Sequence, residues 1–400
     1  MSGSATERFG DSQRTRARLP RTVIALAAVS LLTDASSEMI YPLLPVFLST
    51  VLGASALAIG AIEGAAESTA ALVKLLSGWW SDRLARRKPL VVAGYGLASL
   101  ARPLVGLAGN AEQVLALRLV DRVGKGIRTA PRDALIADSV DPAIRGRAYG
   151  FHRAADHAGA VVGPLLASAL LYLGLHLRSV FLLAAVPAVL AMLTLVLAVP
   201  EAKREPPRTA SSRGLTTAGL SGTFWGYLLV LLLFTLGNSS DAFLLLRAAQ
   251  LGVPPSLVPV LWSFLHVVKS LSSTPGGILS DKLGRRPMIV AGWFVYAAVY
   301  AGFAVASEPS HAWLLFAAYG IFFGLTEGVE KALVADLVPP AARGTAFGWY
   351  NLAIGIGALP ASLIFGAIWD RAGSETAFAF GASLALLASL GLGMLRLRRV

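Results

Sequence analysis

The residues of this chain that could do chemistry are charged side chains inside long apolar segments. Arg118, Arg122, Lys125 and Arg132 recur at intervals of four, three and seven, so they share one face of a helix in residues 115–139. A charge at the centre of a bilayer costs at least about 2.5–3.5 kcal/mol on insertion scales, and such a side chain faces the interior of a helix bundle. These cations therefore predict acidic partners on neighbouring helices, and we expect those acids on spans 1, 2, 5 and 10.

Two carboxylates in the first apolar segment are candidates for carrying protons. Asp34 and Glu38 lie four residues apart, hence on one helix face, and no basic residue lies near them on that helix. Burial raises the pKa of a carboxyl group, whereas a neighbouring cation lowers it. A carboxylate that alternates between these surroundings takes up a proton on one side of a membrane and releases it on the other. We predict this role for Asp34 or Glu38, and the alternative is a permanent ion pair.

Further polar side chains lie within the second and fifth apolar segments. Glu63, Glu67 and Lys74 share a face of the second segment, where a fixed ion pair with Lys74 is the alternative to titration. Asp156 and His157 lie in the fifth segment, close to Arg153, with which Asp156 could form a fixed pair. The predicted residues of proton coupling and the substrate cavity are Asp34, Glu38, Glu67, Arg122, Lys125, Asp156 and His157.

Composition assigns the chain to the membrane. Of its 400 residues, 55% are hydrophobic and only 14% are charged, whereas soluble domains carry about 25% charged residues. Apolar segments of spanning length recur from residue 21 to residue 395, which predicts an all-α membrane protein. The chain has no cysteine, so the sequence predicts no disulfide and no thiolate metal site.

The positions of the basic residues predict the topology. The net charge is +12, and the basic residues gather at both termini and in alternate connections between apolar segments, which argues against nucleic-acid binding. This asymmetry follows the positive-inside rule, so we expect a multi-pass protein of the plasma (inner) membrane with both termini in the cytoplasm. Residues 1–20 read as a cytoplasmic tail rather than a cleaved signal peptide, because the apolar run that follows is too long.

Internal similarity divides the chain into two halves. The segment 78–95 (GWWSDRLARRKPLVVAGY) returns as 276–293 (GGILSDKLGRRPMIVAGW), and 133–151 returns as 331–349. Such a repeat predicts two pseudo-symmetric six-helix halves, twelve transmembrane helices in all, with a substrate path between the halves. The twelve spans are expected, in chain order, at 21–50, 55–80, 89–108, 112–136, 147–173, 178–199, 223–247, 255–279, 288–307, 312–334, 345–369 and 375–395. The predicted organisation is a tail (1–20), an N-terminal half (21–199), a cytoplasmic linker (200–222) and a C-terminal half with a short basic tail (223–400).

The loop between spans 2 and 3 resembles the loop signature of the major facilitator superfamily. Its two copies are Gly78-x-x-x-Asp82-Arg83-x-x-Arg86-Arg87-Lys88, with Ala85 where glycine is usual, and Gly277-x-x-x-Asp281-Lys282-x-Gly284-Arg285-Arg286. The resemblance implies the major facilitator fold and a latch at the cytoplasmic side formed by Asp82 and Arg83. The predicted latch residues are Gly78, Asp82, Arg83, Arg86, Arg132, Gly277, Asp281 and Arg285.

Span 4 resembles a second pattern of that superfamily. Arg122-x-x-Lys125-Gly126 is similar to Arg-x-x-Gln-Gly, with lysine in place of glutamine. The resemblance implies that Arg122 influences a proton-carrying acid or the substrate, and Lys125 adds a cation that could meet an anionic substrate group. The repeat pairs Arg132 with Glu330, so we also expect a salt-bridge network between the halves that breaks and reforms.

Span 5 resembles the antiporter signature of the superfamily. Gly150, Gly159, Gly163 and Pro164 match its spacing, whereas its last two glycines are replaced. In the superfamily this signature accompanies exchangers, although close packing of small residues is an alternative explanation.

The function expected from these patterns is transport by alternating access. We expect proton-coupled efflux (antiport) of a small drug-like molecule or metabolite; a proton-coupled symporter or an uptake carrier for a small, possibly anionic, solute is the alternative. Motifs of hydrolases, metalloproteases and nucleotide-binding enzymes are absent from the sequence, so we expect no enzymatic activity. We expect no cofactor, protons as the coupling ion, a small-molecule substrate, the lipid bilayer as surroundings and a functional monomer.

Overall fold

The N-terminal helices of the computed structural model follow the predicted spans closely. The model describes residues 19–81, 86–140, 145–200, 220–339 and 343–395, and these are helical almost throughout. The helices of the first half are α1 (Arg21–Ile40, prolonged by the turns Tyr41–Leu43, Leu44–Val46 and Phe47–Val51), α2 (Ala56–Ser81), α3 (Lys88–Leu104, with a 3-10 turn Val105–Leu107), α4 (Ala111–Asp138), α5 (Arg145–Tyr172) and α6 (Leu177–Leu183 and Ala185–Ala198).

The C-terminal half contains six more helical segments. They are α7 (Gly222–Gly237 and Ala242–Gln250), α8 (Val258–Leu283), α9 (Arg285–Val305), α10 (Pro309–Asp336), α11 (343–372) and α12 (374–394). The last two form one continuous helical range, Arg343–Met394, that is divided at Gly373. Gly373 has a φ of 87°, a left-handed conformation in which a glycine meets no steric cost.

Length and apolar composition identify nine candidate membrane spans in the described residues. The last of these, Ala346–Met394, contains both α11 and α12, so the nine cover every helix except α4 and α8. These two helices have 28 and 26 residues, about 40 Å at 1.5 Å per residue, which exceeds a hydrocarbon core of about 30 Å. Charged residues, rather than short length, set α4 apart from an ordinary apolar span. The chain is an all-α membrane protein, as predicted.

Glycines allow the helices of the two halves to pack closely. The halves meet along α2 with α11 and α5 with α8. A Cβ atom at Gly64 of α2 would lie 2.9 Å from the Cα of Leu359 of α11, so a larger residue at this position would separate the helices. Within the first half, a Cβ at Gly124 of α4 would lie 2.6 Å from the carbonyl oxygen of Gly94 of α3.

Equivalent ion pairs recur 198 residues apart in the two halves. Arg87 Nη1 lies 2.6 Å from Asp138 Oδ2 and joins the ends of α3 and α4. Arg285 Nε lies 3.7 Å from Asp336 Oδ2 and joins the ends of α9 and α10. Because both members of each pair are shifted by the same number of residues, the internal sequence similarity corresponds to a repeated three-dimensional contact.

Candidate functional site

The cations of α4 are paired mainly with acids of α2. Arg118 donates from Nε and Nη2 to the two carboxylate oxygens of Glu63 at 3.0 and 2.6 Å, and both side chains are buried. Arg122 Nη2 lies 3.0 Å from Glu67 Oε1. A two-pronged contact between guanidinium and carboxylate is the strong form of this interaction. The prediction that span 2 supplies acids to span 4 is therefore confirmed, and these acids pair with arginines rather than with Lys74.

A third helix joins this network from within the first half. Arg102 of α3 donates from Nε to Asp121 Oδ1 at 2.7 Å and from Nη1 to the carbonyl oxygen of Thr33 at 3.0 Å. Arg102 is thus bound to α4 and to α1 at the residue before Asp34. The sequence analysis missed Arg102, although a single arginine within an otherwise apolar span was the signal that could have found it.

Exposed charged side chains lie in the middle of helices from both halves, and from them we infer a cleft between the halves. We call this the central cleft and define it by Glu67, Lys125, His157, Lys269 and Glu327. The side chains of Glu67 and Glu327 are 50% and 47% exposed, and Lys125 and His157 are also exposed. In a membrane protein such side chains lie in a water-filled cavity rather than in lipid. Three of the predicted cavity residues, Glu67, Lys125 and His157, are thus exposed, and their place in a substrate cavity stays a prediction.

The central cleft is closed at the end where α1 ends and α2 begins. There Trp262 of α8 donates its indole N–H to Glu38 Oε2 at 2.8 Å. Asp370 of α11 accepts the backbone N–H groups of Ala56 and Leu57, each at 2.8 Å, at the first turn of α2. These contacts join the two halves, and the exposed charges lie toward the opposite end. The basic residues Arg86 to Lys88 and Lys282 to Arg286 belong to that opposite end.

The glycines of α5 place this helix directly against the acidic face of α1. A Cβ at Gly159 would lie 2.9 Å from the Cβ of Asp34, and a Cβ at Gly163 would lie 2.9 Å from the Cα of Ala35. Pro164 follows within the same helix, and Gly150 is helical. Only glycine permits this approach of two helices, so these positions have a packing role whatever else they do.

Asp34 and Asp156 have different surroundings at this contact. Asp156 accepts a short hydrogen bond from Ser30, and Arg153 Nη1 and His152 Nδ1 lie 3.4 and 3.6 Å from its Oδ2. Asp34 has no side-chain hydrogen bond or ion pair with any residue in the described ranges. The two acids predicted to titrate, Asp34 and Glu38, therefore differ in their partners. Glu38 accepts a hydrogen bond from the indole of Trp262, whereas Asp34 has no side-chain partner among the described residues.

Arg132 and Glu330, which the internal repeat places at equivalent positions, do not contact each other in this conformation. Arg132 donates from Nε and Nη2 to Asp133 Oδ1 at 3.0 and 2.8 Å. Glu330 accepts from Trp293 Nε1 at 2.9 Å and from the hydroxyl of Tyr350 at 2.8 Å. Each side chain is thus satisfied within its own half. No contact of Arg132 with span 10 is formed among the described residues in this conformation, and the network that breaks and reforms between the halves stays a prediction.

Of the two copies of the predicted latch, the one in the C-terminal half lies within the described residues. Asp281 Oδ1 lies 2.6 Å from Arg285 Nη1, and Arg285 also contacts Asp336. Gly277 lies within α8, and Arg86 is exposed. Asp82 and Arg83 lie outside the described residues, as does most of the predicted linker; Gly78 lies in the last turn of α2.

Proteins with similar sequences and similar folds are known. The family model described as Major Facilitator Superfamily matches residues 26–359 and 242–400. The chain is 35% identical over 382 residues to the MFS-type transporter MJ1317 of Methanocaldococcus jannaschii, covering 93% of this chain and 94% of that protein. It is 26% identical over 368 residues to the multi-drug resistance efflux pump PmrA of Streptococcus pneumoniae, with 88% of each chain covered. A solved POT family transporter in complex with 5-aminolevulinic acid has a TM-score of 0.79 at 11% identity, covering 93% of this chain and 95% of that one, a likeness of fold.

Proposed function

The chain belongs to the major facilitator superfamily and is a multi-pass membrane transport protein rather than an enzyme, and we propose that it exports a small drug-like molecule or metabolite in exchange for protons. In this proposal the substrate binds in the central cleft, and the two halves rock about it to expose the cleft to each side in turn. Protons are the coupling ion, and Asp34 or Glu38 carries them.

The observation that carries the proposal is the hydrogen bond between Glu38 and Trp262. It connects an acid of α1 to an indole of α8, so one proton-accepting group also holds the halves together at the closed end of the cleft. An ionised carboxylate accepts an N–H more strongly than a protonated one, because the bond is charge-assisted. Protonation of Glu38 therefore weakens a contact that must break for the cleft to open at this end.

Two further observations favour export. The glycines of α5 that match the exchanger signature pack on the face of α1 that bears Asp34. PmrA, which the chain resembles over most of its length, is described as a multi-drug resistance efflux pump. MdtH of Proteus mirabilis, another similar protein, is described as a multidrug resistance protein. Drug-like compounds are therefore the first substrates to try.

A flux measurement in liposomes tests the proposal. Purified protein is reconstituted, a pH gradient is imposed, and ethidium is followed by fluorescence while protons are followed with a pH-sensitive dye. Antiport predicts opposed movements of ethidium and protons. Asp34→Asn or Glu38→Gln is expected to abolish gradient-driven flux while exchange of ethidium without a gradient continues, because a neutral amide cannot carry a proton.

The control for this experiment is Glu308→Gln, which removes an exposed carboxylate at the start of α10. It is expected to leave the flux unchanged. Full gradient-driven flux in both Asp34→Asn and Glu38→Gln would end the assignment of proton coupling to α1.

Lys125 favours a second candidate function, uptake of a small anionic solute. Lys125 is exposed in the central cleft, and no carboxylate of the described residues lies within 4.0 Å of its ammonium group. A free cation in a substrate cavity attracts an anion. If organic anions move with protons in the same direction in the liposome assay, this function replaces efflux.

A further inference from the structure

Arg128 of α4 is a buried cation without a hydrogen-bond acceptor among the residues that the structure describes. Its side chain is 4% exposed, and its Nε and Nη1 groups have no hydrogen-bond partner in the described part of the chain. Its guanidinium lies over the ring of Tyr95, 4.2 Å from the centroid. A cation–π contact is weaker than the cost of burying an ion that has no counter-ion. The ring alone therefore does not offset the burial of this charge.

The other buried arginines of α4 have carboxylates. Arg118 is paired with Glu63, Arg122 with Glu67, and Arg132 with Asp133. Among the four buried arginines described on α4, Arg128 alone lacks such a partner. Arg122, which the family resemblance implied would act on a proton-carrying acid, is held by Glu67 of α2.

The packing of α1 on α4 places Arg128 opposite Asp34. The two helices run antiparallel, and Arg132 Nη1 lies 3.4 Å from Ser30 Oγ. On α1, Asp34 lies one turn after Ser30 on the same helix face. On α4, Arg128 lies one turn before Arg132 on the same helix face. An acid without a partner and an arginine without an acceptor therefore occupy the same level of adjacent helices.

We propose that Arg128 is a positioning residue whose guanidinium binds the deprotonated carboxylate of Asp34 during the transport cycle. This inference rests on the proposed function. When α1 shifts against α4, the Asp34 carboxyl releases its proton to water in the central cleft, and its oxygens accept the free N–H groups of Arg128. When the helices return, Asp34 loses this partner and takes a proton again. Ionisation of Asp34 is thus coupled to movement within the first half.

Several other titratable or charged groups lie on the helices around Asp34. The complete set from the surrounding helices is Glu38 on α1, Arg102 on α3, Lys125, Arg128 and Arg132 on α4, and His152, Arg153, Asp156 and His157 on α5. Of these, Arg128 combines the matching level with unoccupied donors.

Infrared titration of the purified protein tests the inference without a substrate. The carboxyl C=O band of Asp34 is identified by its loss in Asp34→Asn, and its intensity is followed against pH. Arg128→Gln is expected to move the midpoint of this band at least about one pH unit higher, about tenfold in proton affinity, because an opposite charge is removed. Arg128→Lys keeps the charge and is expected to restore the midpoint.

Arg122→Gln is the matched control, since it removes a cation of the same helix that is bound elsewhere, and it is expected to leave the midpoint nearly unchanged. A midpoint in Arg128→Gln equal to that of the wild type, or a larger shift in Arg122→Gln, overturns the assignment of Arg128. Failure of the proposed function is seen separately, as substrate flux without proton movement in wild-type liposomes.

Discussion

The ion pairs of the cleft region differ in how much each contributes to stability. Glu63 is 2% exposed and binds Arg118, which is 8% exposed, so neither charge has water as an alternative partner. Glu327 is 47% exposed and binds Lys269, which is 17% exposed. Removal of one member of a buried pair leaves an uncompensated charge, whereas an exposed pair is easily replaced by hydration.

Glu63→Gln is therefore expected to destabilise the protein by about 3–5 kcal/mol, because the guanidinium of Arg118 stays buried without its main counter-ion. Glu327→Gln serves as the matched change and is expected to cost about 1 kcal/mol or less. Thermal unfolding of the detergent-solubilised variants measures the difference. Equal losses of stability in the two variants would contradict this account of the pairs.

At the scale of helices, the contact between α11 and α2 closes one end of the cleft. The carboxylate of Asp370 accepts two backbone N–H groups at the beginning of α2, where the helix has unsatisfied donors and a partial positive charge. Both bonds connect the two halves, so they exist only while this end is closed. The contact thus stabilises the conformation in which the central cleft opens at the basic end.

Asp370→Ala is expected to shift the protein toward the state open at the other end, about tenfold or more, because two hydrogen bonds to a charged group are lost. Electron spin resonance distances between labels on α2 and α11 near this end are expected to lengthen. Arg371→Ala removes an exposed neighbour and is expected to leave them unchanged. The same distances in Asp370→Ala as in the wild type would show that this contact does not hold the end closed.

For the whole molecule, the sidedness of the cleft depends on the topology. We propose that the basic end, toward which the central cleft opens, is cytoplasmic, so that the described conformation faces inward in the plasma membrane as a monomer. Basic connections stay in the cytoplasm during insertion. Arg86 marks the basic end, and Glu308, before α10, marks the other.

Because the chain has no cysteine, single introduced thiols report the topology directly. Arg86→Cys is expected to resist a membrane-impermeant maleimide in intact cells and to react after lysis, whereas Glu308→Cys reacts in both. The unsubstituted protein, which carries no thiol, controls for background labelling. Reaction of Arg86→Cys in intact cells would reverse the orientation and the direction of the cleft.

By itself the sequence determined the membrane class, the position of each helix and the need of the α4 cations for acidic partners on other helices. These depend on apolar length, on charge spacing along a helix and on the cost of an unpaired charge in lipid, all of which are local or nearly local quantities. The predicted 255–279 for α8 differs from Val258–Leu283 by only a few residues for the same reason.

Only the tertiary structure decided which partner each charge has. Arg102, Trp262 and Asp370 form contacts with residues 69 to 314 positions away, and no periodicity along a helix specifies such distant neighbours. The conformation of the protein also determines whether Arg132 and Glu330 contact each other, because an ion pair between two moving halves exists in some conformations and not in others. Arg128 shows the same dependence: its charge is evident from the sequence, but its lack of an acceptor follows from how α1, α3 and α4 pack.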